Sequence, residues 1–255
     1  MVGINTSMSG LPVQWEKRIQ KSIPHTFIVD KNGRGHFHTI QDALDAAHAA
    51  EGGSAYNRNT VGRIYIRKGV YNESVTSACD YVWVEGESWE AKIDGTGVGS
   101  AFTSSRGVCN LCNIHLYTTP GAGGTYHTYV DSSQGGNHVR NIYISGSDEH
   151  GMAIVVGTKV YSCYINDPDG NGINASAETN VSASSMTTCG NWGFQGDGTT
   201  DNAVVVGCNF FSNTSGDISL HNDDENCVIV GNRCNSTTTI SDASGSSTVS
   251  GNDTT

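Results

Sequence analysis

The feature that most constrains this chain is a repeat. Short strand-like segments begin near Val139, Val160, Val181, Val204, Val228 and Thr248, at successive intervals of 21, 21, 23, 24 and 20 residues. A second series is interleaved with the first. Gly151, Gly172, Gly193 and Gly216, spaced 21, 21 and 23 residues apart, each precede another short strand-like run. A period in the low twenties with two or three short strands per repeat marks a solenoid, in which no repeat buries its apolar face alone and stacking supplies the core. The pattern predicts an all-β fold, a single-stranded right-handed parallel β-helix over residues 26–255, preceded by an arm of residues 1–25.

One helix is expected. In Thr39–Ala47, Thr39 is placed to cap the N-terminus, Asp42 lies three residues on, and Ile40, Ala43, Leu44 and Ala47 fall on one face. The end coils of a β-helix leave backbone groups unpaired. The helix is therefore expected to cap the first coil, and the Ser/Thr-rich tail at 236–255 to cover the last or fray from it. Residues 51–61 read as a polar loop, and Arg63–Arg67 and Tyr81–Glu85 alternate as strands should.

Charge separates the two halves. Residues 1–106 hold 11 acidic and 11 basic side chains, whereas residues 107–255 hold 14 acidic residues against Arg140, Lys159 and Arg233 alone, so the net charge of −11 arises there. A nucleic acid partner is excluded on this ground, because phosphate binding needs a basic stripe. The eight cysteines match neither a compact disulfide scaffold nor paired zinc knuckles, and Cys109 and Cys112 form one isolated C-x-x-C, so most are expected to be small buried hydrophobes. No apolar stretch approaches the ~20 residues that span a bilayer, and Met1 is followed by no signal-peptide pattern. The expectation is no membrane insertion, and a place on a virion surface or otherwise outside the cell.

The stretch from Phe27 to Val75 resembles the opening of the pectin lyase-like superfamily, particularly its pectin methylesterases. The resemblance lies in Phe37-His38-Thr39-Ile40-Gln41-Asp42-Ala43-Leu44 and Ile64-Tyr65-Ile66-Arg67-Lys68-Gly69-Val70-Tyr71-Asn72-Glu73-Ser74. It implies the β-helix with its cap and first coil. The esterases carry their catalytic aspartates in Q-D-T-L-like and D-F-I-F-G-like segments and an arginine in a G-R-P-W-like one, none of which occurs here, so esterase activity is not implied. The polygalacturonase segments are matched only faintly, by Asp148-Glu149-His150-Gly151 and Asp223-Asp224. Viral tail spikes have similar β-helices, commonly as trimers, and that analogy is one of fold alone.

Stacking converts the repeat into a surface map, because neighbouring coils lie ~4.8 Å apart. The residues before the repeating glycines, His150, Asn171, Trp192 and Ser215, are expected to form one exposed row, with Asp148, Glu149, Asp167 and Asp169 in the same turns. An aromatic face beside carboxylates and an amide suits a sugar, so His150, Asn171 and Trp192 are candidate glycan-binding residues. The bland alternative is a solvated turn ladder. In an enzyme, Asp148 or Glu149 paired with Asp167 or Asp169 would serve as acid and nucleophile or base. Asp167-Pro168-Asp169-Gly170-Asn171-Gly172 followed by Glu178 satisfies the EF-hand pattern, yet a strand through Gly172–Ala175 carries Glu178 away from the ion. A looser calcium site of Asp167, Asp169 and Asn171 stays open, and His221–Glu225 reads as a solvated acidic turn.

The leading expectation is a virion or cell-surface projection protein whose β-helix binds polysaccharide or host glycans, attached or trimerised through residues 1–25. The alternative is a polysaccharide-degrading enzyme, a glycoside hydrolase or a calcium-dependent lyase. A third reading is a structural spacer.

Overall fold

The computed structural model describes residues 26–50, 62–119, 127–131, 136–176, 178–235, 240–243 and 245–254. The expected arm at 1–25 and the loop at 51–61 lie outside them. Three parallel sheets run the length of a right-handed β-helix, and within each one spatial order follows chain order. Sheet I has 10 strands, from Thr26–Val29 through Tyr81–Gly86, Val108–Cys112 and His138–Arg140 to Thr248–Ser250. Sheet II has 8 strands, from Gly69–Asn72 through Ala91–Asp94, His115–Tyr117, Tyr143–Ser147 and Tyr164–Pro168 to Arg233–Asn235. Sheet III also has 8, from Val75–Ser77 through Met152–Ile154, Ile173–Ala175 and Trp192–Gly196 to Ile240–Asp242.

The expected helix is present. α1 (Ile40–Ala50) buries Ile40, Ala43, Leu44 and Ala47, the face read from the sequence, and packs them on the first strands of sheets I and III. Thr39 Oγ1 accepts the Asp42 N–H at 3.2 Å, and Glu73 accepts the N–H groups of Ile40 (2.9 Å) and Gln41 (3.1 Å). The orphan donors of the first turn are thus met by a cap and by a carboxylate from the adjoining coil. No helix among the described residues is long and apolar enough to cross a membrane.

The core is a set of columns. In sheet II, Tyr71, Ile93, Leu116, Ile144, Ile165, Met186, Phe210 and Cys234 stack inward, all buried. Each large member contributes roughly 1.5–3 kcal/mol of apolar burial. In sheet I the inward column is Val139, Val160, Val181, Val205 and Ile229, with Val249 next in register but exposed. Val204, Val228 and Thr248, which mark the repeat in the sequence, therefore sit one residue early. A strand that starts on an apolar residue does not reveal which of its two faces that residue takes.

The corner from sheet I to sheet II is made by a left-handed residue followed by a buried one. Asn113, Asn141, Ser162 and Ala183 have φ of 57°, 50°, 51° and 47°, and Gly207 and Gly231 continue the column where that conformation costs least. The buried partners are Ile114, Ile142, Cys163, Ser184, Cys208 and Asn232. Asn232 Oδ1 accepts the Cys208 N–H at 2.9 Å, and Asn252 Oδ1 accepts that of Asn232 at 2.9 Å, so side chains relay bonds from coil to coil.

All eight cysteines are free and buried, as small hydrophobes should be. Cys109 is directed inward with Leu111, whereas Cys112 lies on the opposite side of the same strand, next to Glu85 and Arg140. The C-x-x-C spacing therefore presents no paired thiols.

Candidate functional site

The row read from the sequence is only partly realised. Gly151 donates to the Asn171 carbonyl at 2.9 Å and Gly172 to the Trp192 carbonyl at 2.8 Å, so His150, Asn171 and Trp192 occupy successive coils. Ser215 leaves the row. Trp192 pairs with Gly216 and Phe194 with Ile218, while the Ser215 N–H goes to Asn191, because this coil is one residue longer than the spacing between glycines implies. The row is not uniformly exposed either. Asn171 is buried: its Oδ1 accepts the Trp192 N–H at 3.1 Å, and its Nδ2 donates to Gln195 at 2.5 Å and Asn174 at 3.5 Å. Trp192 and His150 are half-buried.

Around His150 the groups are close. The rings of His127 and His150 stack with centroids 5.1 Å apart at 17°, and Glu149 lies 3.7 Å from His127 Nε2 and 3.6 Å from His150 Nε2. His150 Nδ1 accepts the Asn171 N–H at 3.0 Å, which places the proton of the neutral ring on Nε2, facing Glu149. Burial, then His127, brings the His150 imidazole down to about 4, and burial lowers His127 as well, so both rings are neutral at pH 7. Asp148 is half-buried in the same turn. Asp167, left-handed at φ 61°, and Asp169 flank buried Pro168 in the next coil, both exposed.

The Asn171 oxygen is committed to Trp192, and no group of three or more His, Cys, Asp or Glu side chains among the described residues is placed to hold one ion. Ile173–Ala175 is a strand, and α1 is the single helix among the described residues, so the Asp167–Glu178 stretch is not an EF-hand. The turn at His221–Glu225 is corrected at one residue. Asp224 is buried, not solvated, and accepts the N–H groups of Gly198, Thr200 and His221.

A second site lies at the corner between sheets I and II. Most of these corners take two residues, but the connection between Tyr81–Gly86 and Ala91–Asp94 takes four, Glu87 to Glu90. This longer loop stands as a wall over the next two coils. Trp89 Nε1 donates to the Asn141 carbonyl at 2.8 Å across 52 residues of sequence, and its ring lies 5.6 Å from that of Tyr143. The Trp89 side chain is still 45% exposed, so it is anchored without being covered.

Register brings further rings to the same place. Lys92, His115, Tyr143 and Tyr164 form one outward column of sheet II. The His115 and Tyr143 centroids are 4.5 Å apart, and those of Tyr143 and Tyr164 are 5.5 Å apart. Between wall and column runs an open groove of about 770 Å³, lined by Glu87, Ser88, Trp89, Glu90, Asn113, His115, Asn141 and Tyr143. Burial, then Lys92, brings the His115 imidazole down to about 4, and His115 Nε2 lies 2.6 Å from Ser145 Oγ. The groove offers ring faces for stacking, neutral hydrogen-bonding groups, and two carboxylates.

No protein-family model and no curated protein matches this chain. Solved structures do. A pectin methylesterase in complex with a hexasaccharide superposes with a TM-score of 0.53 at 14% identity, over 84% of this chain and 80% of that one. Pectin methylesterase from carrot gives 0.52 at 14% identity, over 84% and 73%. The chain thus shares the parallel β-helix fold of these structures, the fold its opening residues imply.

Proposed function

We propose that this protein is a glycan-binding β-helix and that the groove beside Trp89 is its binding site. One observation carries the reading: an exposed indole, fixed by a hydrogen bond two coils away, beside a column of rings whose centroids lie 4.5 and 5.5 Å apart. Flat, pre-ordered aromatic faces bind sugar rings at little entropic cost, and hydroxyl partners such as Glu90 and Asn113 flank them. The structural neighbour that holds a hexasaccharide lends support from fold. A role as a projection on a virion or cell surface, attached or trimerised through residues 1–25, belongs to the same proposal; its support is the missing esterase segments in the sequence.

The test is titration of the protein with a panel of oligosaccharides, read by tryptophan fluorescence and calorimetry. Trp89→Ala is expected to weaken binding about tenfold or more, the loss typical of a central aromatic anchor, while Trp192→Ala leaves it unchanged. Loss on Trp192→Ala alone would move the site to the His150 row. A second reading, a polysaccharide-degrading enzyme, is favoured by the Glu149 carboxylate between two neutral imidazoles. Release of reducing ends or unsaturated products, abolished by Glu149→Gln, would establish it.

A further inference from the structure

We propose that the groove selects glycans bearing free amino groups, such as oligomers of glucosamine, over acidic polyuronates. The inference rests on the glycan-binding reading and deepens it by charge. Glu87 and Glu90 are the charged residues of the lining, and both are exposed carboxylates. No cation faces the groove from its lining. Of the cations around it, Lys92 lies 3.7 Å from Asp94 and 3.8 Å over the Tyr117 ring, Arg63 lies 2.5 Å from Glu85, Arg140 sits 5.3 Å over Trp83, and exposed Lys68 meets Glu87 through its backbone N–H at 3.1 Å. His115 is neutral at pH 7 and adds no positive charge.

A polyuronate would bring a carboxylate with every sugar against the two on the wall, on a chain with a net charge of −11. An ammonium group meets the opposite situation. The faces of Trp89 and Tyr143 present the negative side of the ring quadrupole, and a carboxylate on the wall completes the arrangement. Sugar rings stack on the same surfaces with either substituent, so the ammonium adds selectivity to a contact already made.

The experiment compares a glucosamine oligomer, its N-acetylated counterpart and an oligogalacturonate of equal length, at pH 6 and low salt, by calorimetry on the full chain. The amine is expected to bind about tenfold tighter than the N-acetylated oligomer, with the excess lost at high salt, and the uronate not to compete. Glu90→Gln, which keeps the shape of the side chain and removes its charge, is expected to bring the ratio of the amine to the N-acetyl affinity close to one. Equal affinities in the unaltered protein, a ratio insensitive to Glu90→Gln, or tighter binding of the uronate would each overturn the selectivity while leaving glycan binding in place. Binding of none of the three would refute both readings.

Discussion

Asp224 offers a demanding test of how the upper coils hold together. Its carboxylate is buried, with Oδ1 accepting the N–H groups of Gly198 (3.0 Å) and Thr200 (2.9 Å) and Oδ2 that of His221 (2.6 Å). Hydrogen bonds to a charged group contribute about 1.5–3 kcal/mol each. Asp224→Asn keeps the shape but turns one acceptor into a donor that faces an N–H. The expected loss is about 2–4 kcal/mol, one such bond plus the cost of an unsatisfied donor. Asp223→Asn, one residue away with its side chain 71% exposed, is the matched control and should stay within about 0.5 kcal/mol. Urea unfolding followed by circular dichroism reads the difference, and amide exchange localises it, with protection falling first at Gly198, Thr200 and His221. If Asp224→Asn behaves like Asp223→Asn, the argument that this carboxylate pins two coils is wrong.

Three other outcomes follow from the structure. Burial brings His115 and His150 down to about 4 in the fold against 6.5 for the free group, so the unfolded chain takes up the protons first; their contribution to stability should fall as pH drops from about 6.5 to about 4, and His115→Gln should flatten part of that slope in denaturation measured across the range. At Gly86, a Cβ would overlap the Asn113 carbonyl oxygen and crowd Ile114, so Gly86→Ala should displace the Glu87–Glu90 loop and lower both melting temperature and glycan affinity; unchanged affinity would show that the loop does not form the site. Burial pushes Cys163, Cys189 and Cys234 up to about 12, and a thiol reagent at pH 8 should therefore label these positions only after denaturant is added, as followed by mass spectrometry of the labelled peptides.

The β-helix and its cap are legible because both rest on burial, which leaves a period. Ile40, Ala43, Leu44 and Ala47 report one helix face, and the inward valines report the coil length. The outward surface has no such period. Lys92, His115, Tyr143 and Tyr164 share no chemistry that would tie them together, and only strand register places them in one column. The one local signal was the four-residue corner at Glu87–Glu90, visible once the usual corner is known to take two. Asn171 was misplaced for a related reason. A polar residue beside a glycine reads as a solvated turn, yet a stacked fold offers it backbone donors above and below, and it turns inward to meet them. Asp224 fails the same way, since an acidic run conceals the one member on which three N–H groups converge.

The Trp89 indole also bears on how the molecule responds to load. In a stacked solenoid each coil touches only its neighbours, so tension along the axis should peel coils away one at a time. The bond from Trp89 to Asn141 skips the coil that carries Asn113 and ties its two neighbours directly. Three coils then part as one mechanical unit, and a ligand wedged between the indole and the tyrosine column would stiffen that segment, turning an event at the surface into a change in the tension the shaft can bear.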